Sequence, residues 1–570
     1  MHDLVIQNAT LVDGSGAPSR IADVAVNGHT ISAVGRDLGL ARRRIDAQGL
    51  LLTPGWVDIH THYDGQATWD PLLTPSSWHG VTTAVFGNCG VGFAPVRPGA
   101  ERYLINLMEG VEDIPETVLA EGIDFRWESF AQYLDVLSET PRIMDIGAQV
   151  PHSALRFYVM GDRGADHAAV PTEAEIERMG EVLEQSLRAG GLGFTTSRTV
   201  KHRTKDGRAT PSLSAAEPEL AGLALAMRRA GSGVIEVNSD FGEGDFEILR
   251  ATAELARRPL SVLLLQVHNA PDLWRETLAQ IRAARASGQE VTGQVGSRPI
   301  GMMMALEGTV HPFITHPLWL ALQDLPPAER VRRIKTDSEL RRKLWQELPD
   351  NQHTRWLGAM LDRTFRLREP LDYEPELSAG VGAQACAAGR NPFDLTLDWL
   401  LEEDGKAMLL HTFENYFDGS LEVVRTLLQD DATICGIADA GAHVGFICDA
   451  SSPTSMLTHW VRERHRGEKL PLEFLVKKQT WDTARAYSLF DRGQIAPGFK
   501  ADFNLIDFEA LRLLKPSLEY DLPAGGRRML QRAEGYRHTF VSGIETLRDG
   551  EATGDLPGML IRGEQIRRQD

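Results

Sequence analysis

The stretch PGWVDIHTHYDG, residues 54–65, decides the reading of this chain. A short apolar run containing Trp56, Val57 and Ile59 leads into two histidines with one residue between them. Side chains alternate along a β-strand, so His60 and His62 leave the same face about 7 Å apart along the chain, and both imidazoles can turn onto one ion. Two polar residues at the end of a strand would explain the pattern without a metal. Gly55 before the run and Asp64 after it favour the metal-binding reading over that plainer one.

Outward from this strand, apolar runs alternate with amphipathic stretches from roughly Gly55 to Gln494, the rhythm of parallel βα units. The runs are WVDIHTH, TTAVFGN, IMDIGAQV, GLGFTTS, GVIEVN, SVLLLQVH, AMLLHTF and TICGIADAG. Eight such runs predict an α/β fold, a TIM (β/α)8 barrel spanning 55–494, with its active site at the C-terminal strand ends. Polar residues collect at those ends: His60, His62, Asn88, Asn238, His268, His411 and Asp439. From about Pro299 to Pro392 the rhythm breaks, and the segment is predicted to be a helical insertion over the barrel mouth. Its charged piece, PPAERVRRIKTDSELRRKLWQEL at 326–348, reads as a solvated helix face. Residues 1–54 and 495–570 show short alternating runs broken by turn residues, which predicts one small β-sandwich built from both chain ends.

Of the 570 residues, 42% are hydrophobic and 24% charged, ordinary globular composition with enough chain for a large core and a second domain. A formal net charge of −19 argues against a nucleic-acid partner, whose phosphates require basic surface. The opening MHDLVIQNATLVDGSG lacks a basic and then apolar leader, and no window approaches the roughly 18 apolar residues of a membrane span, so no membrane association is expected. Four scattered cysteines, Cys89, Cys386, Cys435 and Cys448, do not make a disulfide framework. The cytoplasm is the expected compartment.

Taken together, PGWVDIHTHYDG, VTTAVFGNCG (81–90), ADAGAH (438–443) and IAPGFKADFNLID (495–507) resemble the amidohydrolase superfamily over nearly the whole chain. GNCG narrows the resemblance to the D-aminoacylase, or N-acyl-D-amino-acid deacylase, group. The resemblance implies a metal-dependent hydrolase that cleaves a linear amide, an N-acyl amino acid or related N-acyl compound, with metal-activated water. It implies one or two zinc ions, or another divalent metal, held by His60, His62, Cys89, His268 and Asp439. Thiolate is a strong soft ligand for zinc, against the reading of Cys89 as a buried structural cysteine. The resemblance makes Asp439 catalytic, taking a proton from water and handing it to the leaving nitrogen. A turn aspartate before Gly441 and a satisfied core histidine are the plainer readings of Asp439 and His268. His443 either orients Asp439 or packs, and His411 and His152 are candidate substrate contacts near the mouth.

Two departures from the family pattern stand out. On the fifth strand the family carries a metal histidine where this chain has Asn238, a weak ligand for zinc, so the site would hold its ion with fewer ligands, recruit Glu236 or Asp240, or bind a different metal. Cations that grip the substrate carboxylate in the family are replaced by Ala270 and by CDASSPTS at 448–455. Either Arg298 or Lys201 takes over, or the substrate is a neutral or bulky amide. Met302, Met303 and Met304 would suit acyl groups but read first as core. A cyclic amide hydrolase of the hydantoinase or dihydroorotase kind is the alternative enzyme, although no lysine stands at the fourth strand end. A non-catalytic barrel scaffold is the alternative of another class. The expected partner is a small-molecule amide, and the superfamily's habit of assembly makes a homo-oligomer a candidate state.

Overall fold

The computed structural model describes residues 1–566. Parallel strands run through the middle of the chain: β1 (Trp56–Asp58), β2 (Val81–Phe86), β3 (Asp145–Ala148, continued by Val150–Pro151), β4 (Gly193–Arg198), β5 (Val234–Ser239), β6 (Leu260–Leu263), β7 (Val291–Val295) and β8 (Thr433–Cys435). Each pairs in parallel with the next. A parallel bridge between Thr61 and Ala440 joins the chain beyond β8 to the chain beyond β1. There the His62 N–H donates to Ala440 O at 2.7 Å and the Asp439 N–H donates to His60 O at 3.2 Å. The two outermost strands of the series thus deliver the DIHTH and ADAGAH motifs side by side.

Helices between the strands carry apolar stripes against them. In Glu173–Arg188 a capping box sets the start: Thr172 Oγ1 accepts from Glu175 N–H, and Glu175 Oε2 accepts from Thr172 N–H at 2.8 Å. Met179, Val182, Leu183 and Leu187 then recur at helical spacing and are buried. They join a core that includes Phe86, Phe194, Ile235 and Val262 from the strands. Each such side chain contributes about 1.5–3 kcal/mol by leaving water.

The seventh strand differs from the expectation. AMLLHTF does not join the parallel series: Met408–Glu414 is the middle strand of an antiparallel sheet, between Ile300–Met304 and Thr364–Leu367. Its apolar start, Met408–Leu410, fits a strand covered on both sides, and Leu409 and Leu410 fall in two different apolar clusters. The seventh place belongs to VTGQV, whose Gly293 and Gln294 interrupt the apolar pattern that marks a strand. Gly293 is there for space, since a Cβ would lie 2.9 Å from Leu264 Cδ2. The intervening segment therefore carries a sheet as well as helices, and that sheet runs past the anticipated end near residue 392 to Glu414.

The charged piece forms two helices, Pro327–Thr336 and Ser338–Gln346, with Asp337 Oδ1 capping the second by accepting from Leu340 N–H at 2.9 Å. Met302, Met303 and Met304 are all buried in the first strand of the antiparallel sheet. Glu374 fastens the segment to the chain beyond β8, pairing with Arg464 at 3.0 Å.

Both chain ends enter one nine-stranded sheet, in which Leu51–Pro54 lies between His2–Leu11 and Phe503–Ile506. Asp145, at the start of β3, binds this region to the parallel strands through Arg492 at 2.8 Å and Lys500 at 2.7 Å. All four cysteines are free. Among the described residues no helix is long and apolar enough to cross a membrane.

Candidate metal centre

Beyond β1 the chain buries both histidines of DIHTH. His60 Nδ1 lies 2.8 Å from Gln294 Oε1 on β7. The other end of that amide donates to Ser261 Oγ and Tyr487 Oη, both at 3.0 Å, so Oε1 is fixed as an acceptor and His60 carries its proton on Nδ1. His60 Nε2 is left bare, 3.5 Å from Cys89 Sγ and 3.3 Å from Asp439 Oδ1. His62 points its Nδ1 at Glu112 Oε1, 3.4 Å away, and its Nε2 at Asp439 Oδ1, 3.6 Å away. One nitrogen each of His60 and His62 and the Cys89 sulfur all lie within 4.8 Å of one another.

The GNCG turn explains how the thiol arrives. Asn88 is buried and donates to Thr61 O at 3.0 Å and Val85 O at 3.1 Å, while its Oδ1 accepts from Gln149 Nε2 at 2.8 Å. This side chain ties the ends of β1, β2 and β3 together. Gly87 and Gly90 have φ of +84° and +69°, and a Cβ on either would meet backbone, Gln149 O at 2.4 Å or Ser197 N at 2.9 Å. Between them Cys89 itself has φ of +56°, and Asp439 and His443 have +47° and +49°. Such backbone costs on the order of 1–3 kcal/mol per residue and persists where the surroundings impose it.

The electrostatics are those of a cation site. Burial pushes His60 down to about 4, which leaves it neutral as a ligand must be. Burial also opposes charge on His62, but Glu112, Asp439 and Asp64 outweigh it and raise His62 to about 9. Burial raises Glu236 to about 8 and Glu112 to about 7. Burial, with Glu236, Glu112 and Asp439 adding to it, holds the Cys89 thiol well above its ordinary value. Asp439 goes the other way: burial raises it, yet His62, His60 and His443 together keep its carboxyl far below the usual range. Among the described residues no lysine or arginine forms an ion pair with Glu112, Glu236 or Asp439, and Oε1 of each glutamate is buried without a hydrogen bond. A soft sulfur, two imidazoles and buried acids with no lysine or arginine partner fit a divalent cation, which would take the place of the proton on His62 and reverse the thiol's preference by binding the thiolate.

The other residues singled out in the sequence fall in different places. Asn238 on β5 donates to Cys89 Sγ at 3.7 Å, and Glu236 Oε2 accepts from Cys89 N–H at 3.0 Å, so both flank the sulfur. Asp240 instead ties down the loop after β4, accepting from Thr199 Oγ1 and Val200 N–H. His443 lies 3.5 Å from Glu112 Oε2 by its Nε2, and its ring centre is 5.4 Å from that of Phe446 at a tilt of 43°. His268 stands apart from the cluster, edge-on to Phe417 at 5.9 Å, with Arg363 and Lys201 as its charged neighbours. His411, on the antiparallel sheet, packs near His268 with its Nδ1 3.3 Å from Thr364 Oγ1. His152 has both ring nitrogens engaged, by Thr196 Oγ1 at 2.9 Å and Glu219 Oε1 at 3.1 Å, as a satisfied core histidine. Lys201 pairs with Glu414, and Arg298 is buried against Asp449 at 2.9 Å and over the Tyr373 ring at 4.2 Å.

Three residues of the site escaped the reading of the sequence. Gln294 was hidden with its strand. Glu112 ends the helix Glu101–Glu112, where nothing local marks it. His202 follows Lys201 in the loop after β4, a position just past a strand end that could have been weighed as the other strand ends were.

Known proteins resemble this chain in sequence and in fold. The amidohydrolase family model matches residues 43–394 and 376–550. A D-aminoacylase of Alcaligenes xylosoxydans xylosoxydans is 33% identical over 291 residues, 50% of this chain and 55% of that protein, so the chain spans about half the length of this curated relative. An N-acyl-D-glutamate deacylase of the same organism is 28% identical over 574 residues, covering 98% of this chain and 96% of that one. A solved D-aminoacylase, described as having a binuclear metal center, superposes with a TM-score of 0.65 at 25% identity over 99% of this chain and 100% of that one. With the family match running from the terminal sheet through the histidine strand and back to the terminal sheet, the chain belongs to the amidohydrolase family.

Proposed function

We propose that the chain is a metal-dependent hydrolase of linear amides, acting on an N-acyl amino acid or a related N-acyl compound. The parallel strands are read as a closed (β/α)8 barrel with its site at the C-terminal ends, and the nine-stranded sheet as part of a β-sandwich domain. One observation carries the reading: His60 Nε2, His62 Nε2 and Cys89 Sγ converge, with Asp439 Oδ1 3.3 and 3.6 Å from the two imidazoles. The relatives' activities support the choice of a linear amide, since they are a D-aminoacylase and an N-acyl-D-glutamate deacylase.

A divalent cation, zinc by the donor set, supplies Lewis acidity to the amide carbonyl and acidifies water. The chain's own residues do the rest. Asp439, ionised because its histidine neighbours stabilise the carboxylate, takes the proton of the attacking water and returns it to the leaving nitrogen. Gln294 and Glu112 hold the two imidazoles with Nε2 turned inward. Neither Lys201 nor Arg298 is free to grip a substrate carboxylate, because each is matched by an acid. A cavity of 240 Å³ beside Asn238, where Phe241, Leu265 and Trp274 line the wall together with the charged side chains of Lys201 and Asp240, offers partly apolar room for an acyl group or side chain. These features support acceptance of neutral N-acyl amides as well as acids. Lys201, the lysine that follows β4, is paired with Glu414, which disfavours the cyclic-amide alternative, whose enzymes bridge their metals with a carboxylated lysine.

The test is turnover of N-acetyl amino acids of both hands, their amides and esters, and a hydantoin, by metal-analysed wild type and Asp439→Asn. Cleavage of linear amides by wild type, lost in a variant that keeps its metal, supports the reading. Ring opening alone, or an unimpaired variant, refutes it.

A further inference from the structure

Asn238 stands on β5 where the family resemblance leads one to look for a metal histidine, and its surroundings show what takes over. Its Nδ2 is shared, lying 3.3 Å from His202 Nε2 and 3.7 Å from Cys89 Sγ. Zinc–nitrogen and zinc–sulfur bonds are about 2.0–2.1 and 2.3 Å, which puts ligand atoms around a tetrahedral ion roughly 3.4–3.6 Å from one another, so the amide end of Asn238 stands at the separation of a fellow ligand from both.

His202 is set up to be such a ligand. Ser197 Oγ lies 2.9 Å from its Nδ1, and the Asn238 N–H points at its Nε2. The proton therefore sits on Nδ1 and the free electron pair of Nε2 faces Asn238 and the sulfur beyond it. Rotating the Asn238 amide about its last torsion exchanges Nδ2 for Oδ1, a neutral oxygen ligand. A second, independent observation asks for positive charge here. Glu236 is fully buried, accepts the Cys89 N–H at 3.0 Å, and has an Oε1 with no hydrogen bond and no lysine or arginine paired to it. A carboxylate and a thiolate side by side in the interior are costly unless a cation compensates them.

We propose that His202 Nε2, Cys89 Sγ and Asn238 Oδ1 hold a second divalent cation beside the His60–His62 site, so that a histidine from the loop after β4 replaces the histidine missing from β5. Cys89 would then be a ligand common to both sites. The inference rests on the metal-dependent reading above and extends it to a site of this chain's own making.

The experiment compares wild type, His202→Ala, His202→Gln and the double variant His202→Ala/Asn238→His. Each is chelated, reloaded with zinc or cobalt, and measured for metal per chain, affinity of each equivalent, and the cobalt–thiolate absorption band. Wild type is expected to take two equivalents. The single variants keep the first and weaken the second by about 100-fold or more, beyond the 10–100-fold that loss of an outer partner costs. The double variant regains the second ion, because its histidine returns to β5. The cobalt band of the first ion reports that each variant is folded. Two equivalents of unchanged affinity in both single variants, or one equivalent in wild type, overturn the inference and leave the metal-dependent reading standing. No metal in wild type overturns both.

Discussion

Asp439 carries the heaviest chemical load of any single residue in this account. Replacing it by Asn keeps the shape and removes the proton acceptor, so turnover should fall about 10²- to 10⁴-fold even when enough metal is supplied to keep the site filled. Parallel elemental analysis and rate measurements check both halves. Gln294 and Glu112 act one step back. Gln294→Ala frees His60 Nδ1 and Glu112→Gln removes the charge facing His62, and each should weaken the first ion by about 10- to 100-fold. A metal titration reads this directly, and wild-type affinity in both variants would mean that the imidazoles need no such support. The reach of the sequence divides along the same line. His60 and His62 share a strand, and Cys89 and Asp439 sit in turns whose glycines are visible, so their meeting was legible. Gln294 is 234 residues from His60, and its pairing with it exists only in the folded chain.

At the scale of elements, legibility depended on how each strand announces itself. β2, β4, β5 and β6 are apolar runs and were found. β7 was missed because Gly293 makes room for Leu264 and Gln294 turns to the site, so function and packing erased the pattern that marks a strand. The run taken for it, around Met408–Glu414, is equally apolar for another reason, burial inside the antiparallel sheet. What holds that segment in place is also testable. Glu374 is buried, pairs with Arg464 and accepts the Leu421 N–H at 2.8 Å. Burial raises its pKa, but His459 and Arg464 outweigh burial and bring it from 4.5 down to about 2. A depressed carboxyl stabilises the fold fully above the unfolded value and loses that contribution as the pH falls through the folded one. Glu374→Gln should therefore cost about 1.5–3 kcal/mol at neutral pH, since Arg464 loses its buried partner and keeps Glu422, and the deficit should shrink between pH 4.5 and about 2. Urea unfolding across that range checks it. A deficit independent of pH would show that packing, not the ion pair, is what the substitution removed.

The whole molecule joins two regions through buried charge. Asp145 faces Arg492 and Lys500 across the junction between the parallel strands and the terminal sheet. Asp145→Ala leaves two buried cations against the remaining acids and should cost about 3–5 kcal/mol, read as a lowered denaturant midpoint without change in metal affinity. A metal site built from residues 60, 62, 89 and 439 spans most of the chain's length, so the ion and the fold stabilise each other. An ion present at a thousand times its Kd adds about 4 kcal/mol to stability, and chelated protein should melt at a lower temperature that zinc restores. The most direct test of the central claim is a zinc titration of chelated protein while hydrolysis of an N-acyl-D-amino acid is followed. Turnover should be absent before metal, should recover in step with bound ion, and should not recover in Cys89→Ala at the same zinc concentrations. Full hydrolysis by the metal-free protein would contradict it.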